Sequence, residues 1–211
     1  MRKGLWWERL GVLSLILTLI SLAIACTINF TPLYSWDVEQ YHLLDYTTVS
    51  KDVLMVNYHQ LIHFLNYPWN HTLALPDFPM SESGASHFYD VKKLFVLNYI
   101  VLIVTIVPSI YFFVRLVKNK RLWRLMRPMQ WAMLVPILFG FLMALGFDRF
   151  FVTFHEVLFS NDDWLFNPAT DPIINVLPEQ FFMHCFILFF VLIEVFFFVC
   201  YWLGRRELKR A

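Results

Sequence analysis

Charge is scarce in this chain. Asp, Glu, Lys and Arg make up 16% of its 211 residues, and 59% of residues are apolar. Soluble domains carry about 25% charged residues. The shortfall argues against an ordinary soluble domain and excludes a disordered chain, a coiled coil and a nucleic-acid binder built on a basic face. Glycine is also scarce, with six residues. There is no glycine-rich phosphate loop and no Gly-x-Ser-x-Gly nucleophile turn. The three cysteines, Cys26, Cys185 and Cys200, each lie in apolar runs. That pattern offers neither a disulfide framework nor a paired-cysteine zinc site.

What the chain has instead is long apolar runs, rich in its 23 phenylalanines. A bilayer core of about 30 Å is crossed by roughly 20 helical residues. Four runs are long enough: Leu10–Phe30, Leu94–Val117, Met129–Phe147 and Phe181–Leu203. The first is read as a retained span rather than a cleaved leader, because it exceeds a signal-peptide core and carries Ala23 three residues before Cys26. Thirteen of the 17 Lys and Arg residues fall at the N-terminus, from the last turn of the second run to the start of the third, and in the C-terminal tail; 13 of the 16 acidic residues fall in the other two connections. The positive-inside rule therefore puts both termini in the cytoplasm, and residues 31–93 and 148–180 outside. The predicted fold is an all-α membrane protein. A four-helix transmembrane bundle, N-in and C-in, carries a small mixed extracytoplasmic cap formed by those two loops.

Within the cap, Phe30–Trp36 reads as an interfacial aromatic stretch. Val49–Asn66 reads as an amphipathic helix with Val53, Val56, Leu61, Phe64 and Leu65 on its apolar face. Leu73–Pro79 reads as extended, Ser81–Gly84 as a turn or cap, and a further helix starts near Ser86. Beyond the third run, helical spacing continues through Phe150, Phe151, Phe154 and Leu158. Glu194, deep in the fourth run, is an ionisable group in hydrocarbon, with Asn98, Thr105 or Ser109 as candidate partners.

All seven histidines fall outside the spans or at their outer edge, which directs any chemistry to that face. The strongest constellation sets His155, with Asp148 and Glu156, against His87, with Asp90. A carboxylate beside an imidazole fixes its tautomer, and two imidazoles supply a general base and a general acid at one carbonyl. His155-Glu156 begins the zinc-protease pattern His-Glu-x-x-His, but Phe159 occupies the second histidine's position. Other readings compete with a two-histidine site: a metal-dependent hydrolase at the membrane interface, and a non-enzymatic four-span lipid-binding scaffold.

Three stretches carry a resemblance: Phe150–His155, Asp163–Pro168 and Asp171–Phe182. So does His87-Phe88-Tyr89-Asp90-Val91-Lys92, just before the second span. In span count, loop length and motif order, the chain resembles the lipoprotein intramolecular transacylases of Gram-positive bacteria. The resemblance implies an enzyme of the cell membrane, working at the outer leaflet on a diacylated lipoprotein among membrane lipids. It implies that an acyl chain moves from the sn-2 glycerol oxygen to the free α-amine of the N-terminal cysteine, leaving a lyso-form lipoprotein. The family's paired histidines map onto His87 and His155. His155 is assigned as base and His87 as the acid or polarising group, with the two roles exchangeable. Asp90, Asp148 or Glu156 would orient them, and Trp164 or backbone amides would stabilise the oxyanion. Ester to amide is downhill and donor and acceptor share one molecule, so no cofactor and no metal is implied.

Overall fold

The computed structural model describes residues 2–210, with side chains from residue 6 on. Seven α-helices follow in chain order: α1 (Arg2–Ile28), α2 (Thr31–Gln40), α3 (Lys51–Asn66), α4 (Glu82–Lys118), α5 (Met126–Leu145), α6 (Phe147–Leu158) and α7 (Glu179–Leu208). Short 3-10 turns at Leu43–Tyr46, Leu122–Leu125 and Pro172–Val176 join them. No strand occurs among the described residues. Four helical stretches are long and apolar enough to cross a membrane: Trp6–Ile28, Glu82–Lys118, Leu122–Leu145 and Glu179–Leu208. The residues form two compact units.

The first unit takes the chain up to Thr27, Asn98–Leu145 and the chain from Ile187 onward. Its core is Leu15, Ala23, Phe112, Leu116, Leu125, Met129, Ile193 and Phe197. Lipid gives apolar helices no hydrophobic reason to associate, so polar contacts and close packing carry the specificity. Both are present between α1 and α4. Thr18 Oγ1 donates to Thr105 Oγ1 at 2.9 Å and lies 2.7 Å from Ser109 Oγ, while Ser14 Oγ donates to the Thr105 carbonyl at 3.0 Å. Asn98 Nδ2 donates to the Ser21 carbonyl at 3.2 Å. A Cβ on Gly11 would stand 2.3 Å from the Phe112 ring, so the absence of a side chain permits this approach. The residues proposed as partners of Glu194 are thus bonded to α1 instead, and Glu194 Oε1 is buried without a hydrogen-bond partner among the described residues.

The second unit takes residues 28–97 and 146–186. Its core gathers Tyr34, Val38, Leu54, Tyr58, Leu61, Phe64, Phe88, Ile173, Val176 and Phe181. Ser50 caps α3, accepting from the Val53 amide. The buried stripe of α3 is Leu54, Asn57, Tyr58, Leu61, Phe64 and Leu65, whereas Val56 is exposed. The apolar face thus sits in a different register from the one read off the aliphatic residues. The difference is Asn57, a polar residue that tolerates burial because its amide donates to Asp77 Oδ2 at 2.7 Å and to the Val53 carbonyl at 2.9 Å. The aromatic stretch after the first span is helical, as α2, with Pro32 in its first turn where a missing N–H costs nothing. Helix α4 starts at Glu82 rather than near Ser86, because Ser81 Oγ accepts from the Gly84 amide. The third apolar run does not continue unbroken: α5 ends at Leu145, Gly146 is extended, and α6 starts afresh at Phe147.

Candidate active site: two facing imidazoles

Helix α4 presents His87 in its second turn and α6 presents His155 in its last. Both are buried, at 6% and 9% exposure. Their ring centroids lie 5.8 Å apart. The walls around them are aromatic. Trp164 stacks on His155 with centroids 5.0 Å apart and planes inclined by 28°. Phe151 lies 4.3 Å from His155, and Phe159 and Phe166 lie 4.9 Å and 5.5 Å from His87.

The two imidazoles are held differently. His155 Nδ1 lies 2.7 Å from the Phe151 carbonyl, one turn back on α6. A carbonyl only accepts, so Nδ1 carries the proton and a neutral ring leaves Nε2 as a bare lone pair. His87 Nδ1 is buried with no hydrogen-bond partner among the described residues. An orphaned polar atom of this kind costs stability unless something fills it. Burial in the aromatic pocket drives the His87 pKa down to about 4, and the neighbouring His155 adds to the fall. Burial likewise lowers that of His155, opposed by its bond to the Phe151 carbonyl. Both rings are therefore neutral near pH 7.

The carboxylates considered from the sequence make no hydrogen bond to either imidazole among the described residues. Asp148 and Glu156 are exposed on α6, and the atom orienting His155 is a backbone carbonyl. Asp90 does not bond His87. Its Oδ1 accepts from Lys93 at 2.7 Å and its Oδ2 from Asn161 at 3.0 Å. Asn161 in turn accepts from the Asp163 amide at 3.1 Å. This chain of bonds ties the segment leading to Trp164 onto α4, one turn beyond His87. Asp90 thus acts on the Trp164 wall.

The acidic group near the start of α4 is Asp171, which sequence reasoning placed in a motif without a role. It is 2% exposed. Its Oδ1 accepts from the Ser81 amide at 2.7 Å and the Ser81 hydroxyl at 2.9 Å, and its Oδ2 from Thr170 at 2.6 Å. These bonds hold its pKa below the ordinary carboxylate value despite burial. The fit is close: a Cβ on Gly84 would meet Asp171 Oδ1 at 2.3 Å and the Phe166 ring at 3.0 Å. Gly84, Asp171 and Phe166 therefore fix the turn that carries His87. The signal was a glycine in the first turn of a helix, where nothing local requires one. Among the described residues, no group of three His, Cys, Asp or Glu side chains is placed to hold a metal ion.

The fold has close counterparts. The family model described as "Lipoprotein intramolecular transacylase Lit" matches residues 9–182. The structure of the membrane-integral lipoprotein intramolecular transacylase Lit from Bacillus cereus superposes with a TM-score of 0.93 at 31% identity, covering 99% of this chain and 97% of that one. Two structures of the same protein with one histidine replaced also match. The arginine variant gives a TM-score of 0.83 at 30% identity over 99% and 97% of the two chains. The alanine variant gives 0.85 at 31% over 99% and 95%. A comparison with curated proteins gives no significant match. With a family model spanning most of its length and a solved relative of the same fold, this membrane-integral chain belongs to the lipoprotein intramolecular transacylases.

Proposed function

We propose that this protein moves the sn-2 acyl chain of a diacylated lipoprotein from its glycerol oxygen to the α-amine of its N-terminal cysteine, at the outer leaflet of the cell membrane. The distribution of Lys and Arg supports the orientation, with both termini and the linker at residues 118–126 in the cytoplasm. The observation that carries the chemistry is the pair of neutral, buried imidazoles 5.8 Å apart.

The acceptor is an α-amine with an ordinary pKa of about 7.7–8.0. It attacks only when deprotonated. His155 Nε2, bared because Nδ1–H is committed to Phe151, takes a proton from the attacking nitrogen. The amine nitrogen bonds to the ester carbon, and the carbonyl oxygen becomes an oxyanion. Collapse of this intermediate breaks the bond from carbon to glycerol oxygen. That oxygen leaves as a hydroxyl with the proton that His155 took from the amine, relayed through the neutral His87, which accepts it at one ring nitrogen and gives it from the other. The proton taken from the amine is therefore the one given to the glycerol oxygen, and both rings end neutral. Trp164 and the phenylalanine walls keep water from competing with the amine. Donor and acceptor share one molecule, so the pocket's main task is orientation, which is worth up to about 7–11 kcal/mol. Asp171 and Asp90 act through His87 and Trp164 as positioning residues.

The test incubates purified protein with a synthetic diacylated lipopeptide and reads fragment masses. Transfer leaves the total mass unchanged, with an acyl group on nitrogen and a free glycerol hydroxyl. Loss of a fatty acid would indicate hydrolysis, and no change at all a non-enzymatic scaffold; either result overturns the proposal.

A further inference from the structure

Between α3 and α4 the chain forms a short tip, Tyr67-Pro68-Trp69-Asn70-His71, with no regular secondary structure. Trp69 is 70% exposed and Tyr67 41%. An exposed indole on a loop is ordinarily mobile, but this one is anchored from three directions. Lys92 Nζ donates to the Asn70 carbonyl, and the Tyr89 hydroxyl donates to the His71 carbonyl. Asn70 Nδ2 lies 3.2 Å from His63 Nδ1. The rings also pack on one another at a tilt, His63 against Tyr67 with centroids 4.5 Å apart and Tyr67 against Trp69 with centroids 5.2 Å apart.

The Lys92 anchor is a costly one. Lys92 is 7% exposed, with its ammonium 4.1 Å from the centroid of the Phe64 ring. Burying an ammonium costs several kcal/mol unless it is well paired. That charge is committed to holding the tip against α4, and what the tip then presents outward is Tyr67 and Trp69.

The height of the tip follows from α4 itself. The helix is continuous from Glu82, and its apolar run begins at Leu94, just past Lys92 and Lys93. At 1.5 Å per residue, Lys92 stands about 3 Å and Tyr89 about 7.5 Å above Leu94. The headgroup layer extends about 5–8 Å beyond each face of the hydrocarbon core. The tip is bonded to the side-chain ends of these two residues, so a hydrocarbon boundary at Leu94 would bring it to that layer, where Trp and Tyr partition preferentially.

We infer that the Tyr67–Trp69 tip is a rigid membrane-interface anchor, whose partner is the headgroup and ester-carbonyl layer of the outer-leaflet phospholipid. By fixing α4 at one height, it sets the depth at which His87, seven residues before Leu94, meets the outer leaflet. The leaflet assignment rests on the reading given under Proposed function; the depth of the tip is measured independently of acyl transfer.

The full-length protein is reconstituted in phosphatidylglycerol–phosphatidylcholine vesicles containing lipids brominated either beside the ester carbonyls or near the chain ends. The signal of Trp69 is the emission difference between the unaltered protein and Trp69→Phe, with Trp69→Tyr as a second reference. Quenching by carbonyl-proximal bromine should exceed that by chain-end bromine by about twofold or more, as for an interfacial indole. Quenching by aqueous acrylamide with no response to either lipid would overturn the inference, as would stronger quenching from the chain ends.

Discussion

The turn that carries His87 is held by a contact tight enough to make one methyl group decisive. Replacing Gly84 by alanine places a Cβ 2.3 Å from Asp171 Oδ1, where ordinary contact begins at 3.4 Å. The conflict of roughly 1 Å has to be absorbed by movement. Asp171 cannot retreat without losing two bonds to Ser81, and Phe166, the second obstacle, packs against both His87 and Phe88. The displacement therefore passes to the first turns of α4. A misplacement of about 1 Å in a preorganised site costs on the order of 10²-fold in rate. The assay is the conversion rate of a diacylated lipopeptide with substrate saturating and limiting, so that kcat and KM separate. Gly84→Ala should lower kcat by about 10²-fold with a smaller change in KM. Gly140→Ala is the control, because a Cβ there meets nothing within 4 Å. Removing the obstacle supplies the stricter check. On an Asp171→Ala background the Gly84→Ala penalty should shrink to less than about tenfold, as expected for residues in contact. A Gly84→Ala protein with full activity, or strictly additive penalties, would show that this contact does not position His87.

Other consequences follow from the same geometry. Both catalytic imidazoles have pKa values below the usual 6.5, that of His87 at about 4. Below pH 6.5 the unfolded chain therefore binds more protons than the folded one. The stability due to these groups is full above pH 6.5 and is lost as pH falls toward about 4; His87→Leu should flatten part of that slope in detergent-unfolding titrations. The rate should fall on the acid side with an enzyme midpoint below 6.5, and should rise on the alkaline side until the substrate amine is deprotonated, near pH 8. Thr18→Val removes the contacts to Thr105 and Ser109 and should cost about 0.6–2 kcal/mol, read as an earlier unfolding midpoint in detergent. Chelators should leave conversion unchanged; loss of activity restored by added zinc would favour the metal-hydrolase reading.

Much of this architecture is legible from residue type because lipid enforces simple rules. An apolar run of span length has to be a helix, and the bias of Lys and Arg orders the loops. The one-sided histidines direct chemistry to the outer face, but an interfacial imidazole also caps helices or binds headgroups, and it is the motifs around His87 and His155 that single out this pair. Their supports were less visible, for distinct reasons. Asp148 lies on the same side of α6 as His155, but about 10 Å along the axis, beyond the reach of a short carboxylate. The group that orients His155 is the carbonyl of Phe151, and a backbone atom leaves no trace in residue identity. Asp171 acts on a turn nearly ninety residues earlier in the chain, a pairing that periodicity cannot show. The register of α3 was obscured by Asn57, which is buried only because Asp77 satisfies it.

On this reading, two neutral imidazoles, on α4 and α6, move the protons of one acyl transfer. The most direct measurement compares the unaltered protein with His87→Ala and His155→Ala, each shown to be folded, by following the appearance of N-acylated lipopeptide over time. Each single variant should lose at least about 10²-fold in rate, and the double variant should be little worse than either, because the two rings act as a unit. Near-normal conversion by either folded variant would contradict it.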